Sequence, residues 1–253
     1  MTALPDPWMQ LRRLTPARIA LGRSGASLPT REVLAFSLAH ARARDAVHRA
    51  LDVAGLCRAL DAVHVASAAP DRATYLRRPD LGRVLAPGAE AALFGIAGEV
   101  AIVVADGLSA AAAETQAPAV LAHALPALCC AGFAMARTIV ATQARVALGD
   151  AVAAGVGAQA VAVLIGERPG LSVPASLGIY LTWHPVPGRS TDADRNCISN
   201  IQADGLSAEA AAAKLVWLLS AARTSGFSGV RLKDESEAGR SLVGGSDRSL
   251  RQT

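Results

Sequence analysis

The chain has 253 residues, of which 52% are hydrophobic, 4% aromatic and 18% charged, with a formal net charge of +4. That length fits one large domain, or one domain with a smaller helical part, and it leaves ample apolar material for a core. The positive charge is mild and sits largely in arginines near the two ends, without the dense basic stripe and stacking aromatics of a nucleic-acid binder.

Residues 1–29 are rich in Arg, Pro and Gly, with Leu11-Arg12-Arg13-Leu14-Thr15-Pro16-Ala17-Arg18 followed by Gly22-Arg23-Ser24-Gly25. They read as an irregular arm whose Arg12, Arg13, Arg18 and Arg23 suit carboxylates on a partner chain. Met1 is not followed by a basic and then an apolar stretch, so no signal peptide is expected. Thr30 is expected to cap a helix, with Glu32 in the first turn where a carboxylate suits the helix dipole. That helix should run to about Val53 with Leu34, Leu38 and Ala41 on one face, and Gly55 is its natural stop. Val63 to Pro87 is mixed and holds a charged turn, Tyr75-Leu76-Arg77-Arg78-Pro79-Asp80-Leu81-Gly82-Arg83.

From Glu99 the pattern becomes regular. Val100–Val104 is a strand, Asp106-Gly107-Leu108-Ser109 its exit loop, and an alanine-rich helix follows from Ser109. Residues 115–135 carry no Asp, Glu, Lys or Arg, which is long enough to raise the question of a membrane span. Pro118, Pro126, Gln116, His123 and the many alanines favour a helix buried between the sheet and a partner. Thr138–Val140 is a second strand, Gly149–Gly157 a short helix, Val161–Ile165 a third strand and Leu177–Trp183 a fourth. Ser207 caps a helix with Ala211, Leu215, Leu218 and Leu219 facing inward, ended near Gly226. Strands separated by helices imply βαβ units, hence an α/β fold with a Rossmann-like, mainly parallel sheet preceded by a helical N-terminal region. The expected divisions are an arm and helical region over 1–90, the α/β domain over 91–230, and a flexible polar tail over 231–253.

Two segments carry the candidate chemistry. Gly166-Glu167-Arg168-Pro169-Gly170-Leu171 leaves the apolar run Val161–Ile165 at a strand's carboxyl end, where open α/β sheets bind ligands. Glu167 there either accepts from a ligand or pairs with Arg168. Asp192-Ala193-Asp194-Arg195-Asn196-Cys197-Ile198-Ser199-Asn200-Ile201 reads as a polar loop with one thiol. A catalytic thiol needs a base, and the nearest in sequence is His184, so Cys197 is expected to make contact without turnover. Asp106 reads equally as a ligand contact and as part of a strand–helix turn. No glycine-rich phosphate loop follows any strand. The five histidines (40, 48, 64, 123 and 184) show no metal-ligand spacing. The four cysteines (57, 129, 130 and 197) form no CxxC pair, which suits a reduced, cytoplasmic setting.

The arginine-rich arm, the Tyr75–Arg83 turn, Ser109 in its loop, Gly166–Leu171 and Arg195–Ile201 together resemble the small (light) subunit family of ethanolamine ammonia-lyase, in order from about residue 11 to 230. The resemblance implies a subunit of an adenosylcobalamin-dependent enzyme that converts ethanolamine to acetaldehyde and ammonia. In that family a large TIM-barrel subunit holds the substrate, and a Rossmann-like small subunit closes over the corrin in a hetero-oligomer with several copies of each chain. By motif, the cofactor-binding positions would be Val146, Glu167 and Cys197, with no catalytic residue on this chain. The D-x-H-x-x-G sequence that supplies an axial histidine elsewhere is missing, since Asp45-Ala46-Val47-His48 has the wrong spacing; the benzimidazole base is therefore expected to stay on cobalt. Longer members carry an N-terminal extension associated with bacterial microcompartments. Here the family core begins near Leu11, so the expected location is the cytoplasm, with a microcompartment as the alternative. The competing reading is a stand-alone Rossmann-like protein for another nucleotide-like ligand.

Overall fold

β2 (Val100–Ala105) and β4 (Ala160–Gly166) are buried at every position, as strands must be when helices cover both faces of a sheet. They pair in parallel at the centre of a six-stranded sheet of order β1-β3-β2-β4-β5-β6. The other strands are β1 (Val63–Ala66), β3 (Ile139–Thr142), β5 (Leu177–Trp183) and β6 (Arg195–Ile201). The computed structural model describes residues 7–15 and 17–236. Most of the expected polar tail, from residue 237 onward, lies outside them, whereas Lys214 reaches Asp234 at 3.0 Å.

The sheet divides the core in two. On one face Ile102, Val104, Leu164, Ile179 and Leu181 pack under α5 (Ala110–Cys130) and α7 (Ala208–Ser225). On the other, Ala101, Val103, Ala141, Val161 and Val163 pack under Leu148, Val152 and Ala153 of α6 (Leu148–Val156). Small residues let these helices lie close: Ala113, Ala117 and Ala124 of α5 are fully buried. Ser109 and Ser207 cap α5 and α7 by accepting from Ala112 N (3.3 Å) and Ala210 N (3.2 Å). No helix among the described residues is long and apolar enough to cross a membrane.

Four expectations need correction. The sheet is mixed: three pairings are parallel, but β4–β5 and β5–β6 are antiparallel. The link between β4 and β5 holds no helix and is too short for a parallel crossover, which needs about a dozen residues or more. Second, the supposed polar loop is the edge strand β6, preceded by a single 3-10 turn at Asp192–Asp194. An irregularity opposite Leu177 and Ile179 gives β6 one extra residue, so its buried positions are Arg195, Ile198 and Ile201 instead of alternate residues. Third, α2 ends at His48 rather than Val53, and Gly55 lies inside a separate α3 (Val53–Leu60), its N–H accepted by the Asp52 side chain at 2.9 Å. Fourth, Thr30 is the first helical residue and makes no side-chain cap.

The edge strand is held by a buried ion pair. Arg195 donates to Asp150 of α6 through Nη1 (2.8 Å) and Nη2 (2.6 Å), and to Thr182 Oγ1 of β5 at 2.7 Å. Both charged side chains are almost fully buried, at 3% and 1% exposure. Leaving one such charge unpaired costs about 3–5 kcal/mol. Asp150→Ala should therefore lower unfolding stability by about that amount in urea titrations, while Asp150→Leu with Arg195→Met should lose much less. Equal losses in both would mean that the pair itself is not what holds the edge.

Candidate functional site

The loops that leave β2, β3 and β4 meet at their carboxyl ends. Asp106, buried at the end of β2, accepts from Gln143 N (3.0 Å) and Ala144 N (3.2 Å) in the loop after β3. Arg72 of α4 (Arg72–Arg77) approaches the same carboxylate at 3.3 Å and donates to Gly107 O at 2.9 Å. Burial pushes the Asp106 carboxyl up, against the N–H donors and Arg72 that pull it down. Asp106 is thus spent on tying two loops together, which decides for the strand–helix-turn reading. Gly166 has its own local reason: a Cβ there would lie 2.1 Å from Ser109 O, and Leu108 N donates to Gly166 O at 2.9 Å.

Beyond Gly166 the chain turns and Glu167 folds back over β5. Ser176 Oγ donates to Glu167 Oε2 at 2.5 Å and Asn200 N donates to the same oxygen at 3.4 Å. Glu167 Oε1 lies against Gly178, where a Cβ would stand 3.0 Å from it and 3.3 Å from Tyr180 Cε2. No ion pair joins Glu167 to Arg168 among the described residues, so that alternative falls.

Tyr180 faces Cys197 directly across the β5–β6 ladder. Strand alternation puts Gly178, Tyr180 and Thr182 on the face opposite Leu177, Ile179 and Leu181, which are buried under the α7 layer. α6 reaches this second face at Thr182 and Arg195, yet Cys197 remains exposed. Tyr180 lines a depression of about 160 Å³ with Val146, Glu167, Arg145 and Tyr75. Val146 and Arg145 also border a neighbouring depression of about 1030 Å³. The structure therefore brings Val146 and Glu167 to one rim, and Tyr180 links that rim to Cys197.

Electrostatics at the rim disfavour a nucleophile. Burial raises the Cys197 thiol, and the Glu167 charge raises it further against a lowering by Tyr180. Tyr180 itself is pushed up to about 12 by burial and by Cys197. The groups acting on the thiol are a phenol and a carboxylate, not His184, whose ring instead meets Trp183 edge-on at 5.4 Å. Among the described residues, no three His, Cys, Asp or Glu side chains converge as a metal site. Tyr180, Gly178, Ser176 and Arg145 were not singled out from sequence. Tyr180 was findable, as the one large polar ring on the minor face of Leu177-Gly178-Ile179-Tyr180-Leu181-Thr182-Trp183.

The ethanolamine ammonia-lyase light chain (EutC) family matches residues 5–233. The chain belongs to this family. It is 54% identical over 239 residues to the ethanolamine ammonia-lyase small subunit of Bradyrhizobium diazoefficiens, covering 91% of each chain. It is 51% identical to that of Azotobacter vinelandii (94% and 92% covered) and 48% identical to that of Pseudomonas fluorescens SBW25 (92% and 88% covered). Family membership accounts for the order in which the motifs occur, and the fold puts two of the three expected contact positions into one depression, with the third across the ladder from it.

The raised thiol gives a direct test. Only the thiolate alkylates, so in a variant lacking Cys57, Cys129 and Cys130 the iodoacetamide rate at Cys197 should rise through a midpoint above the ordinary value of about 8.5. Glu167→Gln removes a neighbouring negative charge that opposes ionisation, so the midpoint should fall. A midpoint that stays put or rises would mean that the thiol does not feel this carboxylate.

Proposed function

We propose that this chain is the small subunit of an adenosylcobalamin-dependent ethanolamine ammonia-lyase, a carbon–nitrogen lyase, and that it closes over the cofactor from the side opposite the large subunit. The observation that carries the reading is the incompletely covered sheet face at Tyr180 and Cys197, joined to the Val146–Glu167 rim, in a chain of this family. Adenosylcobalamin would supply the radical chemistry that converts ethanolamine to acetaldehyde and ammonia, and substrate binding is assigned to the large subunit. On this reading the α/β core is the cobalamin-contacting domain; its sheet begins with β1 at Val63, ahead of the expected 91–230, with the arm and α2 before it and a polar tail after. Several copies of each subunit, in the cytoplasm, complete the proposal.

The residues present fit that group. Cobalamin's rim carries neutral primary amides that donate and accept. Both hydrogen bonds to the Glu167 carboxylate go to Oε2, which leaves Oε1 as an acceptor aimed along the open face. Val146 offers packing and backbone groups, and Cys197 a small polarizable surface for close apposition.

The N-terminal region supports a partner. α2 (Thr30–His48) buries none of its residues, and Val33, Leu34, Phe36 and Leu38 are 47–64% exposed. The arm lies along it: Arg12 reaches Glu32 at 3.7 Å and the Arg18 guanidinium stands 5.6 Å from the Phe36 ring centre. Trp8, Leu14 and Leu28 add exposed apolar area. A surface of this kind is where a partner binds.

Two measurements test the proposal. Co-expressed with a large subunit, the purified complex should carry a cobalamin absorbance spectrum and deaminate ethanolamine, whereas turnover by this chain alone would overturn it. Glu167→Gln should weaken cobalamin retention by the complex about tenfold or more, the loss expected of a charge-assisted hydrogen bond, with an unchanged melting temperature. An unchanged dissociation constant would make Glu167 a structural turn residue. For the partner surface, burying a leucine is worth roughly 1.5–3 kcal/mol. Leu34→Glu with Leu38→Glu should therefore cut capture of the large subunit about tenfold or more and leave the circular dichroism spectrum intact. Undiminished capture would exclude this face.

A further inference from the structure

Arg145 is a fixed cation with no acceptor among the described residues. Its backbone N–H donates to Gly82 O at 2.7 Å, and its stem lies so close over Gly82 that a Cβ there would meet Arg145 Cγ at 2.9 Å. Its guanidinium stacks 4.4 Å from the centre of the buried Tyr75 ring. Tyr75 is itself anchored, its hydroxyl donating to Ala144 O at 3.0 Å. Yet Arg145 Nε is buried without a hydrogen-bond partner, and the side chain enters no ion pair among the described residues. The second guanidinium on the same ring, Arg72, stands 4.9 Å from its centre and has Asp106 as counter-charge; Arg145 has none among the described residues.

The surroundings leave Arg145 available to an anion. Arg145 and Val146 form the ridge shared by the two depressions. Four carboxylates border the larger one: Asp80 is taken by Arg78 at 2.9 and 2.6 Å, Asp150 by Arg195, Asp192 lies 3.9 Å from Arg195 Nε, and the exposed Glu90 forms no ion pair among the described residues; Glu167 lines the smaller one. Arg168 adds a second cation to the smaller depression and forms no ion pair among the described residues. α6 begins three residues beyond Arg145, and the positive end of its dipole reinforces the field. A buried donor left unsatisfied is costly, so a cation immobilised in this way is matched by something that arrives.

We infer that Arg145 binds the phosphodiester of the cofactor's nucleotide loop. This rests on the cobalamin reading above, and it follows from charge. The corrin's peripheral amides are neutral, whereas the phosphodiester carries a full negative charge that a guanidinium fork matches in geometry as well as sign. The inference divides the site between two kinds of recognition, with Glu167 accepting from an amide and Arg145 donating to the phosphate.

The test compares adenosylcobalamin with adenosylcobinamide, which lacks the nucleotide loop, by equilibrium dialysis against the complex with the large subunit. Arg145→Gln should weaken adenosylcobalamin binding about tenfold or more and leave adenosylcobinamide binding as in the wild type. Arg145→Lys, which keeps the charge over Gly82, should narrow the gap between the ligands only partway, and it serves where the glutamine variant does not assemble. Equal loss on both ligands, or loss on neither, would overturn the phosphodiester assignment while leaving the cofactor reading standing. Failure of the wild-type complex to retain either ligand would instead overturn the cofactor reading, and this inference with it.

Discussion

Asp150 grips Arg195 through two charge-assisted hydrogen bonds, and that pair decides how much of the sheet is covered. Arg195 belongs to an edge strand with one sheet neighbour, and Asp150 to the first turn of α6. A buried ion pair adds little net stability compared with an apolar substitute. Its effect here is placement. α6 cannot slide along β5 and β6 without separating Asp150 from Arg195, and Cys197 remains exposed beyond it. The loop that enters α6 carries Arg145 and Val146. One contact therefore sets both sides of the candidate site, the ridge and the open strand face.

What was legible in the sequence follows the same division. β2, β4 and β5 could be read because burial on both faces demands continuous apolar runs, and the caps Ser109 and Ser207 could be read because an N-terminal serine has a local job. β6 could not, because its extra residue breaks the two-residue period and because Arg195 is a charge whose burial depends on a residue 45 positions earlier. β1 was lost in a mixed region, since only four residues of it pair. The break between α2 and α3 turns on Asp52 capping Gly55, which makes a glycine look like a stop when it lies one turn inside the next helix. Val146, Glu167 and Cys197 came from the resemblance. Tyr180 and Arg145 become visible as site residues only once strand pairing and the missing acceptor are seen in three dimensions.

The rim's chemistry is one of contact. A thiol and a phenol whose ionisation is both opposed by burial stay neutral near neutral pH, and the carboxylate beside them strengthens that effect at Cys197. Such a surface suits contact with a ligand rather than bond making. It does not suit acyl transfer or thiol catalysis, which need a lowered thiol and an adjacent base. Arg145, held over Tyr75 and without an acidic partner among the described residues, stands apart on the ridge.

α2 bears on why the site is incomplete in this chain. A helix with no fully buried residue gains little from tertiary packing, which is the source of most helical stability in proteins, so the exposed Val33, Leu34, Phe36 and Leu38 are available to another chain. That surface is not independent of the site. Arg72 donates through Nε to Val47 O in the last turn of α2, at 2.6 Å, and through Nη1 to Gly107 O and the Asp106 carboxylate at the end of β2. Asp106 in turn holds the backbone of Gln143 and Ala144, immediately before the Arg145–Val146 ridge. A partner seated on α2 would therefore grip an element that is hydrogen-bonded, through two side chains, to the loop that would touch the cofactor. The apolar face of α2 and the Arg145–Val146 ridge belong to one hydrogen-bonded framework.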